Sequence, residues 1–259
     1  RRQVPTVWDL GLMVFNAVSF SLATIALMWD QYEGGFGLIS LLTGVFYAGV
    51  GLAVLKRKGA PRRVAHYSLI IALVFGTLSV PLQLDGFWIT IAWAIEAAVL
   101  TSVGFLLQSE RARMFALGVF VLAIGRLLVL DSFAQSISEF ELFRGDRIPA
   151  FAVTIVAIYL AAFLYRRNAA LASAWERDLG HGLIVSANVL TLWILTAEVF
   201  SFYEHRAQES AFSQPQEAAK NAQLSAITTM WATYAIGLVA IAYARSAPAL
   251  RWLAIGLST

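Results

Sequence analysis

The sequence predicts an all-α fold: a multi-pass transmembrane helical bundle with eight spans plus a truncated ninth, built from repeated helical hairpins with basic cytoplasmic turns. The first observation is composition, because 59% of the 259 residues are hydrophobic and 14% are charged. Such a chain has too little polar surface to cover a water-soluble globule. The second is a series of long apolar stretches, and the third is the uneven distribution of Lys and Arg between them.

The eight spans follow from the apolar stretches in chain order. Most approach the roughly 20 residues that a helix rising about 1.5 Å per residue needs to cross about 30 Å of hydrocarbon. The third, fifth and sixth are shorter, so their helices are expected to tilt little or to extend their end residues towards the head groups. The predicted spans are 6–29, 36–55, 64–80, 88–107, 114–130, 148–165, 179–203 and 224–243.

Basic residues set the predicted orientation. Cytoplasmic loops retain Lys and Arg, so the N-terminus and the connections after spans two, four, six and eight are expected inside. The opposite connections hold only Arg144, Arg147, Arg206 and Lys220, while Arg126 lies within span five. The fourteen on the predicted cytoplasmic side are Arg1, Arg2, Lys56, Arg57, Lys58, Arg62, Arg63, Arg111, Arg113, Arg166, Arg167, Arg177, Arg245 and Arg251.

A ninth apolar segment, residues 250–259, has about half the length of a span. We therefore expect the sequence to be a fragment of a longer membrane protein. Residues 1–259 are expected to form a single bundle, because no Pro- and Ser-rich linker divides them. The longest exterior connections are predicted at 131–147 and 204–223, and residues 169–178 are expected to form a cytoplasmic interfacial turn anchored by Trp175.

An internal repeat relates residues 88–121 to residues 226–259. At a constant offset of 138 positions, Thr90 matches Thr228, Trp93 matches Trp231 and Arg113 matches Arg251. Duplication of a two-helix unit explains a register that holds through two helices and their turn. Coincidence among apolar residues is the alternative.

The chain has no cysteine, which excludes disulfides, iron–sulfur clusters, thiolate zinc sites and c-type haem attachment. It also has no G-x-S-x-G, H-E-x-x-H or phosphate-binding glycine loop. We expect no cofactor and no metal, and enzymatic activity is uncertain but not favoured. No basic patch is interleaved with aromatic residues, so the expected partners are membrane lipids and other membrane protein subunits rather than nucleic acid.

One segment closely resembles the signature of a bacterial polytopic membrane family known as domain of unknown function 2339. It reads Pro81-Leu82-Gln83-Leu84-Asp85-Gly86-Phe87-Trp88-Ile89-Thr90-Ile91-Ala92-Trp93-Ala94-Ile95-Glu96-Ala97-Ala98. The sequence departs from the family pattern at Phe87, where a basic residue is usual, and at Ala97, where glycine is usual. The resemblance implies a multi-pass protein of the bacterial cytoplasmic (inner) membrane and brings no activity. Further similar positions are 126–131, Arg147, 187–190, Glu198, 224–225, Trp231, Tyr234 and Arg251.

Charged residues within the spans predict one polar cluster. Glu96, Arg126 and Glu198 each lie about 6 to 12 Å below the predicted outer surface, at about 1.5 Å per residue. An unpaired charge in hydrocarbon is costly, so Arg126 is expected to pair with Glu96 or Glu198. The residues predicted to rim the same site are Asp85, Asp131 and Tyr203.

Two interpretations of this cluster stay open. It is either an ion-paired contact that fixes helix packing, or an outward-facing pocket for an ion, proton, lipid head group or envelope precursor. The first predicts a non-enzymatic structural or accessory subunit that binds lipids or other membrane proteins. The second predicts a transporter or channel, and a membrane enzyme acting on a lipid-linked substrate is the third choice. Asn16 and Asn188, near the middle of spans one and seven, are each expected to donate an interhelical hydrogen bond rather than to act as a ligand.

Overall fold

A computed structural model describes residues 7–28, 35–57, 62–133, 142–145, 147–209 and 216–245. Seven of its helices are long and apolar enough to cross a membrane, and the first helix contains a shorter apolar stretch, Gly11–Thr24. The prediction of an all-α, multi-pass membrane protein is confirmed. The ninth segment lies outside the described residues. The eight long helices are α1 Val7–Met28, α2 Phe36–Lys56, α3 Arg62–Gln83, α4 Phe87–Leu106, α5 Glu110–Arg126, α6 Arg147–Arg167, α7 Leu179–Glu209 and α8 Gln216–Arg245.

Several helices extend beyond the predicted spans. α3 continues through Pro81 to Gln83, although a proline has no N–H to donate to the carbonyl four residues earlier. α5 begins at Glu110, where the Ser109 hydroxyl accepts a hydrogen bond from the Ala112 amide and caps the helix. The exterior connection predicted at 204–223 is largely helical instead, since α7 runs to Glu209 and α8 starts at Gln216. Polar residues continue these two helices past the apolar stretches used to predict the spans.

The chain divides into two compact units, residues 1–89 and 90–259. The single bundle over 1–259 and the repeat of 88–121 in 226–259 stay predictions, because residues 246–259 are not among those described. In the first unit, Ala17 of α1 packs against Ile71 and Phe75 of α3, and Met13 and Tyr47 cover this core.

Close contact between α2 and α3 depends on glycines seven residues apart. Gly37, Gly44 and Gly51 are all buried on one face of α2. A Cβ atom at Gly44 would lie 3.0 Å from the Ala72 carbonyl oxygen, and one at Gly51 would lie 3.2 Å from the Ala65 carbonyl oxygen. Small residues therefore let the two backbones approach, as is usual between membrane helices.

In the second unit, α6 is one of the two most buried of the candidate spans, together with α4. Phe151 and Ile158 in its middle are fully buried, and four alanines along it are buried as well. α8 lies at the other extreme, because only 11% of its apolar window is buried. The predicted interfacial turn between α6 and α7 consists of two short 3-10 helices, Ala169–Leu171 and Ala174–Glu176.

Candidate functional site

Glu198 on α7 forms a buried ion pair with Arg147 at the start of α6. The Arg147 Nε atom lies 2.6 Å from Glu198 Oε1, and the two side chains are 3% and 1% exposed. The Phe143 backbone amide donates to the other carboxylate oxygen, Oε2, at 2.9 Å. Each oxygen of the carboxylate therefore accepts a hydrogen bond, as a buried charge requires.

The same guanidinium extends the contact along α7. Its Nη2 group donates to the Ser201 hydroxyl at 3.1 Å and to the Ala197 carbonyl at 3.3 Å. Arg147 thus joins the first turn of α6 to about one turn of α7, from Ala197 to Ser201. Glu198 was one of the two partners expected for Arg126. Its carboxylate pairs with Arg147 and the Phe143 amide instead.

Arg126 lies beside Asp131, where α5 changes its helical form. The Arg126 Nε atom is 3.8 Å from Asp131 Oδ1. Residues Leu127–Asp131 form a π-helical turn, and the Ser132 amide donates to the Leu127 carbonyl five residues earlier. Asp131 is only 3% exposed, and the Thr90 hydroxyl on α4 donates to its Oδ2 atom. Asp131 is therefore a buried group of the second unit, and its predicted place at the rim of a polar site stays a prediction.

The other predicted site residues are distributed more widely. Glu96 is half-buried on α4, and Asp85 is exposed in the turn after α3 in the first unit. Tyr203 on α7 contacts the Phe202 ring edge-to-face at 5.4 Å and lines a groove beside α8. Among these residues the structure brings Arg126 and Asp131 together and connects Glu198 to Arg147. A single pocket formed by all six stays a prediction.

A second buried ion pair lies where α5 begins. Arg113 donates from Nε and Nη2 to the two oxygens of Glu176, each at 2.7 Å, and the side chains are 3% and 0% exposed. The Arg113 guanidinium also lies 4.8 Å from the centre of the Phe105 ring. This bidentate, stacked geometry is specific to arginine. The pair joins the α4–α5 hairpin to the α6–α7 connection.

The α6–α7 connection is organised around Glu176. Ser173 donates to Glu176 Oε2 from its hydroxyl at 2.7 Å and from its amide at 2.8 Å. The indole N–H of Trp175 donates to Glu110 Oε1 at 2.8 Å, and the Trp175 side chain is half exposed. The turn is therefore held both by a buried charge and by an aromatic side chain at its surface.

A groove of about 1070 Å³ runs along α8 between α6 and α7. At its floor the Tyr234 hydroxyl donates to Asn188 Oδ1 at 2.8 Å, and Asn188 Nδ2 donates to the Ile184 carbonyl at 2.7 Å. Asn188 therefore takes part in an interhelical hydrogen bond, but as the acceptor from Tyr234 rather than as the predicted donor. Tyr159, Thr233 and Gly237 are among the groove's other lining residues.

Residues 1–148 match the family model described as "Predicted membrane protein (DUF2339)". The match covers more than half of the 259-residue chain. The chain belongs to this family. The resemblance read from residues 81–98 is thereby confirmed, and the similar positions from 187 to 251 lie beyond the matched region. No curated protein and no solved structure matches the chain.

In this DUF2339 member, sequence reasoning missed the partners in both buried ion pairs. Both Arg113 and Arg147 were assigned to connections, although each lies directly before a predicted span, 114–130 and 148–165. The sequence does carry a signal for the position of Glu176, because Ser173 and Glu176 have the spacing of a capping box. Among the described residues, no three His, Asp or Glu side chains lie close enough to hold a metal ion.

Proposed function

We propose that this DUF2339 protein is a non-enzymatic structural or accessory subunit of the bacterial cytoplasmic membrane that binds lipids or other membrane proteins. The proposal rests on Glu198, whose side chain is buried and whose two carboxylate oxygens both accept hydrogen bonds. Arg147 and the Phe143 amide engage its two oxygens, and the residue is 0% exposed. A carboxylate that binds and releases an ion or proton needs access to water, which this arrangement opposes.

The second buried pair supports the same interpretation. Arg113 and Glu176 form a bidentate contact that ties two helix connections together. Two closed pairs in the second unit favour a fixed arrangement of its helices over an alternating one. A partner-binding role requires such a fixed framework, whereas transport requires a moving one.

The groove beside α8 offers a surface for binding. It is lined mainly by apolar and small residues, and it extends along α8 from Ala222 to Ile241. At about 1.5 Å per residue, this length approaches the thickness of the hydrocarbon layer. The adjacent residues Ala232 and Thr233 share one depth, but only Thr233 lines the groove. They therefore provide a matched pair of probe positions.

A photo-cross-linking amino acid at Thr233 tests binding directly in intact membranes. We expect defined adducts, identified by mass as a lipid or a membrane protein, at Thr233 and far weaker ones at Ala232. Equal adducts at both positions would contradict a binding role for the groove. Mass identification separates the lipid and protein outcomes.

Reconstitution into liposomes tests the alternative of transport. We expect ion or proton flux no greater than in protein-free vesicles, measured with an enclosed pH-sensitive dye under an imposed gradient. Flux in the wild-type protein above that of protein-free vesicles would overturn the scaffold proposal, and its loss in Glu198→Gln vesicles in which the variant is shown to remain folded would assign conduction to Glu198.

A transporter or channel is the second candidate because of Asp131. π-Helical turns occur frequently at functional sites, and here one brings Asp131 next to Arg126 and Thr90. If this site conducts, Asp131→Asn would abolish the flux, whereas Glu198→Gln protein that remains folded in the vesicles would retain it. The two variants therefore separate conduction at Asp131 from conduction at Glu198.

A further inference from the structure

Asn16 presents a carboxamide from the middle of α1. The helix runs from Val7 to Met28, so Asn16 lies about 14 Å from one end and about 18 Å from the other at about 1.5 Å per residue. Its side chain is exposed. A helix that crosses the membrane places such a group in the hydrocarbon layer, where a polar side chain without a hydrogen bond is costly.

The surroundings of Asn16 do not satisfy this amide. It lines a groove of about 700 Å³ between α1 and α2, together with Phe20, Thr43 and Tyr47. The Thr43 hydroxyl donates to the Ile39 carbonyl at 2.9 Å and the Tyr47 hydroxyl to the Met13 carbonyl at 3.4 Å. Among the described residues, none forms a hydrogen bond with the Asn16 carboxamide.

Asn188 shows what the same side chain does when its partners lie within the chain. It is 3% exposed, accepts from the Tyr234 hydroxyl and donates to the Ile184 carbonyl. Asn16 instead points outward with its donor and acceptor available to another molecule.

We propose that Asn16 is the centre of an interface between two copies of this protein, each contributing α1 and the groove beside it. A carboxamide has both a donor and an acceptor, so it is electrostatically complementary to a second carboxamide. Two copies inserted in the same orientation carry Asn16 at the same depth, and a two-fold axis brings the two amides together. The other possible occupants fit less well. A lipid tail has no polar group to pair with the carboxamide, and a different protein would need a matching polar group at the same depth. The inference concerns α1 and does not rest on the proposed scaffold role.

Single-cysteine cross-linking tests the interface in membranes, because residues 1–259 contain no cysteine. Ala23 lies two helical turns after Asn16 on the same face of α1, whereas Leu22 lies at nearly the same depth about 100° around the helix. We expect oxidation to produce a cross-linked dimer of the Ala23→Cys variant and much less of the Leu22→Cys variant. Adding Asn16→Leu should lower the association constant about tenfold, and Asn16→Gln, which keeps the amide, should largely restore it.

The mass of the cross-linked product and the thermal stability of the Asn16→Leu variant distinguish the possible outcomes. Equal cross-linking at both positions, or cross-linking that Asn16→Leu leaves unchanged, would overturn the interface. A cross-linked product with the mass of a different protein would also overturn it, since the proposed occupant is a second copy. Thermal unfolding in detergent checks that Asn16→Leu still folds. Native mass spectrometry of the cysteine-free protein in nanodiscs should independently show a dimer that Asn16→Leu converts to a monomer.

Discussion

Arg147 and Glu198 meet at 2.6 Å in the interior of the second unit, although α6 and most of α7 separate them in sequence. Because each side chain is almost fully buried, each provides the compensation that the other's charge needs. The Phe143 amide adds a further donor to the carboxylate. The contact therefore fixes the start of α6 against the C-terminal half of α7.

Removing one partner of this pair should destabilise the protein strongly. We expect Glu198→Gln or Arg147→Met to lower the free energy of unfolding by about 3–5 kcal/mol, because the remaining group is left buried without its partner. Replacing both residues, as Arg147→Met with Glu198→Leu, should recover much of the loss. Reversible unfolding in mixed detergent micelles measures each variant, and Lys220→Gln on exposed α8 serves as a control with a change within about 0.5 kcal/mol. Additive losses in the double variant would show that the two side chains do not interact.

Arg113 should not be replaceable by lysine. A lysine retains the charge but cannot form the two parallel hydrogen bonds to Glu176 or stack on Phe105 in the same way. We expect Arg113→Lys to cost about 2 kcal/mol of unfolding free energy or more. Arg111→Lys, at an exposed position two residues earlier, should change it by less than about 0.5 kcal/mol. Equal effects of the two substitutions would show that charge alone matters at residue 113.

The number and approximate positions of the membrane helices could be predicted because hydrophobic length is a local property of the sequence. The partners of the buried charges could not, since pairing depends on which helix faces meet. Arg147 lies outside the apolar stretch that predicted span six, and only the packing of α6 on α7 places it against Glu198. The placement of Asp131 inside the second unit depends on a π-helical turn, for which the sequence carries no clear signal.

The small residues of α2 also show that the sequence does not reveal which face of a helix packs against its neighbour. The set Gly44, Ala48, Gly49 and Ala53 satisfies the spacing for close helix approach, but the structure uses Gly44 and leaves Gly49 exposed. The face that packs on α3 instead repeats at Gly37, Gly44 and Gly51. An apolar helix offers several such faces, and tertiary packing selects one of them.

Alanine substitutions at Gly37 and Gly49 should have opposite effects. A Cβ atom at Gly37 would overlap the Gln83 Cβ atom and lie 2.8 Å from the Gln83 backbone nitrogen, so α2 or α3 must shift. We expect Gly37→Ala to lower the free energy of unfolding by about 1–3 kcal/mol. Gly49→Ala meets no atom within 4 Å and should be neutral or stabilising by up to about 1 kcal/mol, because alanine favours the helix. Detergent unfolding of both variants measures the difference, and a stabilising Gly37→Ala would contradict the close contact of α2 with α3.

Single cysteines on either side of α6 should be labelled from opposite sides of the membrane. Leu142 precedes α6 and Leu171 follows it, and the two side chains are 45% and 46% exposed, so they form a matched pair. Because residues 1–259 contain no cysteine, each variant of this sequence reports one position. If the basic connections are cytoplasmic, a membrane-impermeant maleimide should label Leu142→Cys in spheroplasts, whose outer membrane and periplasmic barrier have been removed. It should label Leu171→Cys only after the inner membrane is permeabilised. Labelling of both variants from the same side would mean that α6 does not cross the membrane, and the reverse pattern would place the N-terminus outside.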